Sequence, residues 1–416
     1  MTFLTIDSSF PRAAPAGVQG EYQENMVPLV EAFVDNFAKH NELGASLYVS
    51  IEGKTVVDLW GGKTSANGAQ WGRDTICVIF SCTKAATALC LHVLAARGLV
   101  DLDASVARYW PEFAASGKQG ITLRMLLDHT AGLPAIREPL KVDCLTDWDY
   151  MVAHLEAEAP FWEPGSRTGY HALTFGFLVG EVVRRVSGKS LGQFFQEEIA
   201  IPLGLDFAIG LPEQDEPRVA EIEPFRAPKG TPETAFVAAA KERGTIANLF
   251  LFNSGDWAYR GVNTRAGRAA EIGAANGVSN ARGLGKMFAA LAEGGAQLGL
   301  SRAQVDAFAQ ASSATHLDAT LLAPTRFGPG FMSNMRARPT GDESESLTFG
   351  ERAFGHVGMG GSLGFADPDL KMGVSYVMNR HGGGMLLNTR GQSLVDTLYQ
   401  TLGYSDKSAG YWARGS

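Results

Sequence analysis

The chain has 416 residues and a mass of 44.4 kDa, and 45% of it is hydrophobic, which suits a globular protein with one large core or two linked lobes. Lys and Arg total 36 against 44 Asp and Glu, so the net charge of −8 argues against a nucleic-acid partner, whose phosphates demand a basic surface. The four cysteines form no C-x-x-C pair, residues 1–20 lack a basic start followed by an apolar stretch, and no run approaches the length of a bilayer span. The expectation is a cytoplasmic protein without a disulfide framework or a membrane span.

In chain order, residues 45–60 read as two β-rich runs broken at Glu52-Gly53-Lys54, a hairpin signal. Ser81–Arg97, Ala172–Val186 and Asn280–Leu291 carry apolar residues at helical spacing, and Gly98 and Gly188 supply the C-terminal stops of the first two. Residues 206–270 mix Pro, Gly and charge with weak periodicity and read as a long irregular excursion of the kind that shapes a binding mouth. Residues 355–379 return to strand character, with a turn at Asp367-Pro368 and a strand from Met372 to Met378. Strands near both ends with helices between predict an α/β lobe from residues 1–80 and 275–416 and a mainly helical lobe from 81–274, meeting at a cleft.

Cofactor motifs are absent. Gly62-Lys63-Thr64 and Gly188-Lys189-Ser190 lack the upstream glycine of a phosphate loop, and the eight histidines form neither H-E-x-x-H nor a zinc spacing. Neither a metal nor a cofactor is expected. Gly360-Gly361-Ser362-Leu363-Gly364 matches G-x-S-x-G, the nucleophile elbow of α/β-hydrolases. An elbow lies between a strand and a helix, whereas Ser362 leads through a strand into the Asp367-Pro368 turn, so a Gly-rich packing strand is the better reading.

Ser81, in Phe80-Ser81-Cys82-Thr83-Lys84, belongs to the only S-x-x-K in the chain and opens an apolar helix. A lysine three residues along lies on the same helix face, within reach of the serine hydroxyl. The helix N-terminus and burial both lower the pKa of that lysine, which makes its amine a usable base. Tyr170, in the turn-rich Thr168-Gly169-Tyr170-His171-Ala172, is a phenol that a neighbouring lysine cation would help to deprotonate. Phe354-Gly355-His356-Val357-Gly358-Met359 reads as a strand start whose glycines let a substrate carbonyl approach the backbone.

In this order and at these separations, the three pieces resemble the class C β-lactamase and DD-peptidase superfamily of serine hydrolases, and within it most of all the family VIII carboxylesterases. Leu126-Leu127-Asp128-His129-Thr130-Ala131-Gly132-Leu133 is similar to that superfamily's L-L-x-H-T-S-G-L segment, and the likeness runs from about Tyr22 to Tyr404. The resemblance implies a β-lactamase/DD-peptidase-like α/β (α+β) fold, an antiparallel sheet flanked by helices plus an inserted helical domain. It further implies Ser81 as the acylated nucleophile, Lys84 as its activating partner and Tyr170 as the base that later protonates the leaving group. The backbone N–H groups of Ser81 and Met359 become the oxyanion hole, and His356, Val357 and Gly358 the substrate-binding strand in place of K-T-G. Ala172 stands where the superfamily's Y-x-N motif has its amide, and His356 where K-T-G has its lysine. Both departures favour an uncharged short-chain ester over a penicillin or a D-Ala peptide. A β-lactamase, DD-peptidase or amide hydrolase on the same Ser-Lys-Tyr set, and a non-catalytic binding member of the fold, are the alternatives. His129 reads as a buried structural histidine and Cys82 as packing. The expected partner is a small-molecule ester; the sequence leaves the oligomeric state open.

Overall fold

The computed structural model describes residues 3–6, 16–253, 255, 257–335, 347–384 and 386–415. Its strands are β1 (Phe3–Thr5), β2 (Gln19–Gln23), β3 (Gly44–Ile51), β4 (Lys54–Gly62), β5 (Cys77–Val78), β6 (Phe207–Ala208), β7 (Val278–Ser279), β8 (Ser313–Thr315), β9 (Thr325–Gly328), β10 (Phe331–Ser333), β11 (Phe354–Val357), β12 (Leu363–Asp367) and β13 (Met372–Met378). Ten form one antiparallel sheet in the order β1-β2-β4-β3-β13-β12-β11-β10-β9-β8. The two chain ends meet at its centre, where Ile51 pairs with Met372 and Ala45 with Met378. The hairpin between β3 and β4 turns on Glu52 (φ 49°) and Gly53 (φ 72°), the two left-handed residues that a right-twisted two-residue loop requires.

Both faces of the sheet are covered. Ala45, Leu47, Val49, Val374 and Tyr376 point to one side and pack under the helices Val27–Lys39 and Thr389–Thr401, with Phe33 and Leu398 in that core. On the other side the helix Ala281–Ala292 lies directly on the sheet, because β12 and β13 present Gly364, Gly373 and Ser375 there. A Cβ on Gly373 would run into the backbone of Ala289, so nothing larger fits. Beyond this helix the second core joins Leu89, Val93, Phe175 and Val179, from helices Thr83–Ala96 and Thr174–Ser187. Full burial of side chains of this size contributes roughly 1.5–3 kcal/mol each, so the two cores hold the sheet from both sides.

Helix boundaries differ from the sequence expectation at one informative place. The first predicted helix starts at Thr83; Ser81 sits instead in a 3-10 turn, Phe80–Cys82, entered through Phe80 at φ 47°. The other two run Thr174–Ser187, ending on left-handed Gly188, and Ala281–Ala292, where the Asn280 side chain accepts the Gly283 N–H at 2.9 Å as N-cap. The 206–270 excursion holds the short strand β6 and a series of short helical turns, among them Ala235–Lys241, Leu249–Asn253 and Trp257–Gly261. None of the described helices is long and apolar enough to cross a membrane.

Candidate active site

Strand β5 delivers the chain to the Ser81 turn, and four hydrogen bonds fix it there. The Ile79 carbonyl accepts the Ser362 hydroxyl (2.8 Å) and the Cys82 N–H (3.3 Å), while Thr83 Oγ1 donates to the Phe80 carbonyl (2.6 Å) and accepts the Gly277 N–H (2.8 Å). Phe80 is a non-glycine residue held at positive φ, a conformation that persists only where its surroundings impose it. Its ring is clamped edge-on by His381 at 4.6 Å and Trp257 at 5.9 Å.

Lys84 is fully buried one turn further on. Its Nζ lies 3.1 Å from Ser81 Oγ and donates to the carbonyls of Ala172 (2.7 Å) and Ala274 (2.9 Å). As an ammonium it would use all three protons on these oxygens; as a neutral amine it gives two protons to the carbonyls and turns its lone pair to the serine hydroxyl. Burial disfavours the ammonium, pushing the Lys84 pKa well below the ordinary lysine range against a weaker opposing influence of Cys82.

Tyr170 brings its ring 4.6 Å from Lys84 Nζ. It is packed against His129 (4.8 Å) and stacked on Phe327 (5.9 Å), and its Oη has no hydrogen-bond partner among the described residues. Burial raises its pKa, with the Ser81 hydroxyl pulling the other way and the nearby Cys82 and Asp318 adding to the rise. Burial therefore opposes the expected deprotonation of the phenol beside a lysine cation, and it disfavours the charged form of both groups.

His356 Nδ1 lies 2.7 Å from the Val357 carbonyl, which can only accept, so the proton sits on Nδ1 and Nε2 is left as a buried acceptor without a partner among the described residues. Burial, reinforced by Lys84, lowers its pKa to about 3, and the ring is uncharged at neutral pH. His129 is a packing histidine, its Nδ1 accepting the His171 N–H at 3.1 Å between the rings of Tyr170, Phe175 and Phe327.

Ser81 and Tyr170 open on a cavity of about 180 Å³ with no charged side chain among the described residues of its lining. Its walls include Phe236, Phe250, Trp257, Leu321, Met332 and Met359. Val357 and Gly358 belong to this lining; His356, 1% exposed, stands behind it. The Met359 N–H has no acceptor among the described residues. A larger open cavity of about 920 Å³, lined by residues that include Glu221, Phe225, Arg380 and Arg390, contains none of Ser81, Lys84 and Tyr170.

Sequence reasoning missed the Ala274 carbonyl and Asp318, which holds the Tyr170 N–H, and it expected the excursion to shape the binding mouth without naming the aromatic residues that do so. Only Asp318 left a local trace, the D-x-T pattern of an Asx turn, with its carboxylate accepting the Thr320 N–H at 2.8 Å. Ser362 is fully buried, with its hydroxyl on the Ile79 carbonyl and its own carbonyl accepting the Gly358 N–H at 2.7 Å. Ser362→Ala is expected to lower stability by about 1 kcal/mol and to leave phosphonate labelling of the protein intact; thermal melts and intact-protein mass spectrometry check both.

The Beta-lactamase family model matches residues 29–398. Esterase/beta-lactamase LipL from Mycobacterium tuberculosis (strain ATCC 25618 / H37Rv) is 37% identical over 363 residues, 85% of this chain and 80% of LipL. The crystal structure of a family VIII carboxylesterase superposes with a TM-score of 0.81 at 38% identity, covering 92% of this chain and 99% of that one. A penicillin-binding protein homolog from Caulobacter crescentus gives 0.79 at 34% identity over 92% and 99%. With its sequence and its fold thus matched across nearly the whole length, the chain belongs to the Beta-lactamase family, as a serine hydrolase of the esterase/β-lactamase-like superfamily.

Proposed function

We propose that the protein is a carboxylesterase that hydrolyses short-chain, uncharged carboxylic esters through an acyl-enzyme. Ser81 Oγ attacks the ester carbonyl carbon while its proton passes to Lys84 Nζ, and the N–H groups of Ser81 and Met359 hold the oxyanion. The alkoxide leaves with a proton delivered through the Tyr170 hydroxyl, which Lys84 replenishes. Water then attacks the acyl carbon, its proton follows the reverse route, and Ser81 recovers its hydrogen. Val357 and Gly358 flank the bound ester, and His356 supports the strand from behind. The observation that carries this reading is the 3.1 Å approach of a buried, carbonyl-anchored amine to the Ser81 hydroxyl, which opens on an apolar cavity.

The substrate class follows from the same cavity. It is smaller than the ~300–1,000 Å³ of sites for drug-sized ligands, and among the described residues its lining offers no cation to a carboxylate such as that of a β-lactam. The proposal includes the division into an α/β lobe of residues 1–80 and 275–416 and a helical lobe of 81–274. It also places the enzyme in the cytoplasm, in keeping with four buried, unpaired cysteines. Initial rates on p-nitrophenyl butyrate and on a chromogenic cephalosporin test it. The ester's kcat/KM is expected to be higher by roughly 100-fold or more, a difference of about 3 kcal/mol in transition-state binding; preference for the cephalosporin overturns the ester assignment in favour of a β-lactamase.

A further inference from the structure

Asp318 is fully buried, and its carboxylate accepts from four donors. Three lie close by in the chain: the Thr320 N–H (2.8 Å), the Leu321 N–H (2.9 Å) and the Thr325 hydroxyl (3.0 Å). The fourth is the Tyr170 N–H, 148 residues away in sequence, at 3.0 and 3.1 Å from the two oxygens. A carboxylate removed from water persists only where donors replace that water, and here a backbone group of the phenol-bearing segment is one of them. A second bond runs alongside, from the Ala319 N–H to the Thr168 carbonyl at 3.0 Å. Leu321, held by the same carboxylate, is part of the cavity wall.

We infer that Asp318 is a positioning residue: it fixes where the Tyr170 phenol stands relative to Ser81 and ties that placement to the Leu321 wall of the cavity. The inference rests on the proposed use of Tyr170 in proton transfer and deepens it. Asp318 touches no reacting atom; it acts through the backbone of Tyr170. The Oδ1 atom takes the Tyr170, Thr320 and Leu321 N–H groups, and Oδ2 takes the Thr325 hydroxyl with the second Tyr170 contact. An asparagine with its oxygen at Oδ1 keeps three of these bonds and donates its NH₂ to Thr325 Oγ1, whose hydroxyl reverses its role.

The test is steady-state hydrolysis of p-nitrophenyl butyrate by the full chain carrying Asp318→Ala, Asp318→Asn, Tyr170→Phe, and Asp318→Ala with Tyr170→Phe, each checked for folding by thermal melt. Asp318→Ala is expected to lower kcat about 100-fold, with KM within about three-fold, because misplacing a proton-transfer group costs turnover more than binding. Asp318→Asn is expected to restore kcat to within about five-fold of the parent. In the Tyr170→Phe background the Asp318→Ala loss is expected to vanish. Losses that multiply in the double variant overturn the inference, as does a rise in KM at constant kcat. If the alanine variant does not fold, the asparagine variant carries the test, and a folded but inactive Asp318→Asn overturns it. A Tyr170→Phe variant with undiminished kcat is a separate result and removes the role of Tyr170 itself.

Discussion

Ser81→Ala and Lys84→Met are each expected to reduce kcat on a p-nitrophenyl ester by roughly 10⁴–10⁶-fold. The first removes the atom that forms the acyl bond; the second leaves that atom in place but takes away the lone pair 3.1 Å from it. Methionine suits the second site because it is unbranched, of similar volume and content to be buried. It leaves the Ala172 and Ala274 carbonyls without their donor, at about 1–3 kcal/mol each, offset by no longer burying an amine, so the variant should fold. Phosphonate treatment followed by peptide mapping should place the adduct on Ser81, find none in Ser81→Ala, and show greatly slowed labelling in Lys84→Met. The pH dependence adds a sign. Burial lowers the Lys84 pKa, and the active form is the neutral amine, so activity falls as pH drops through a value below the ordinary lysine range. That limb should be missing from the residual activity of Lys84→Met. An adduct on any other residue, or a methionine variant within ten-fold of the parent, removes the proposed Ser-Lys chemistry.

The parts of the site that the sequence disclosed are those with a local signature. Ser81 and Lys84 are three residues apart on one helical turn, and the hairpin at Glu52-Gly53 needs only its own two residues. The carbonyls that aim the lysine lie 88 and 190 residues from it, and the carboxylate that holds Tyr170 lies 148 away; no periodicity links such positions. The shift of the helix start from Ser81 to Thr83 has a similar origin, since the groups that pack and bond the Phe80 turn, among them His381, Trp257, Gly277 and Ser362, lie far along the chain. His356-Val357-Gly358 shows a different limit. Read as one motif, all three residues face the substrate, but a strand sends neighbours to opposite faces. His356 and Val357 therefore point to opposite sides of β11, and Gly358, just past the end of that strand, joins Val357 in the cavity lining. The short strands β8, β9 and β10, three or four residues each, are too brief to show alternation and are held by their neighbours across the sheet.

Mild acid is expected to unfold the protein cooperatively near pH 5, well before its carboxylates would do so on their own. Burial holds His92 at about 4 and His171, His356 and His381 at about 3, each below the 6.5 of an exposed imidazole. Their folded pKa values lie below the unfolded ones, so the stability they confer is present above pH ~6.5 and is lost as pH falls toward the folded values. Between pH ~6.5 and ~5 the unfolded chain takes up a proton at each site that the native state refuses, about 2 kcal/mol per histidine and about 8 kcal/mol for the four, comparable to the 5–15 kcal/mol of a whole domain. Glu42, Asp128, Asp318 and Asp367, raised by burial, act in the opposite sense as they take up protons in the native state, and offset part of the loss. Near-UV circular dichroism during an acid titration should lose its aromatic signal with a midpoint above pH ~4.5. His92→Gln keeps a donor for the Pro329 carbonyl, which His92 Nε2 contacts at 2.8 Å, and removes one buried imidazole, so it should move the midpoint to lower pH. A native aromatic spectrum retained at pH ~4 would show that these four rings do not control acid stability.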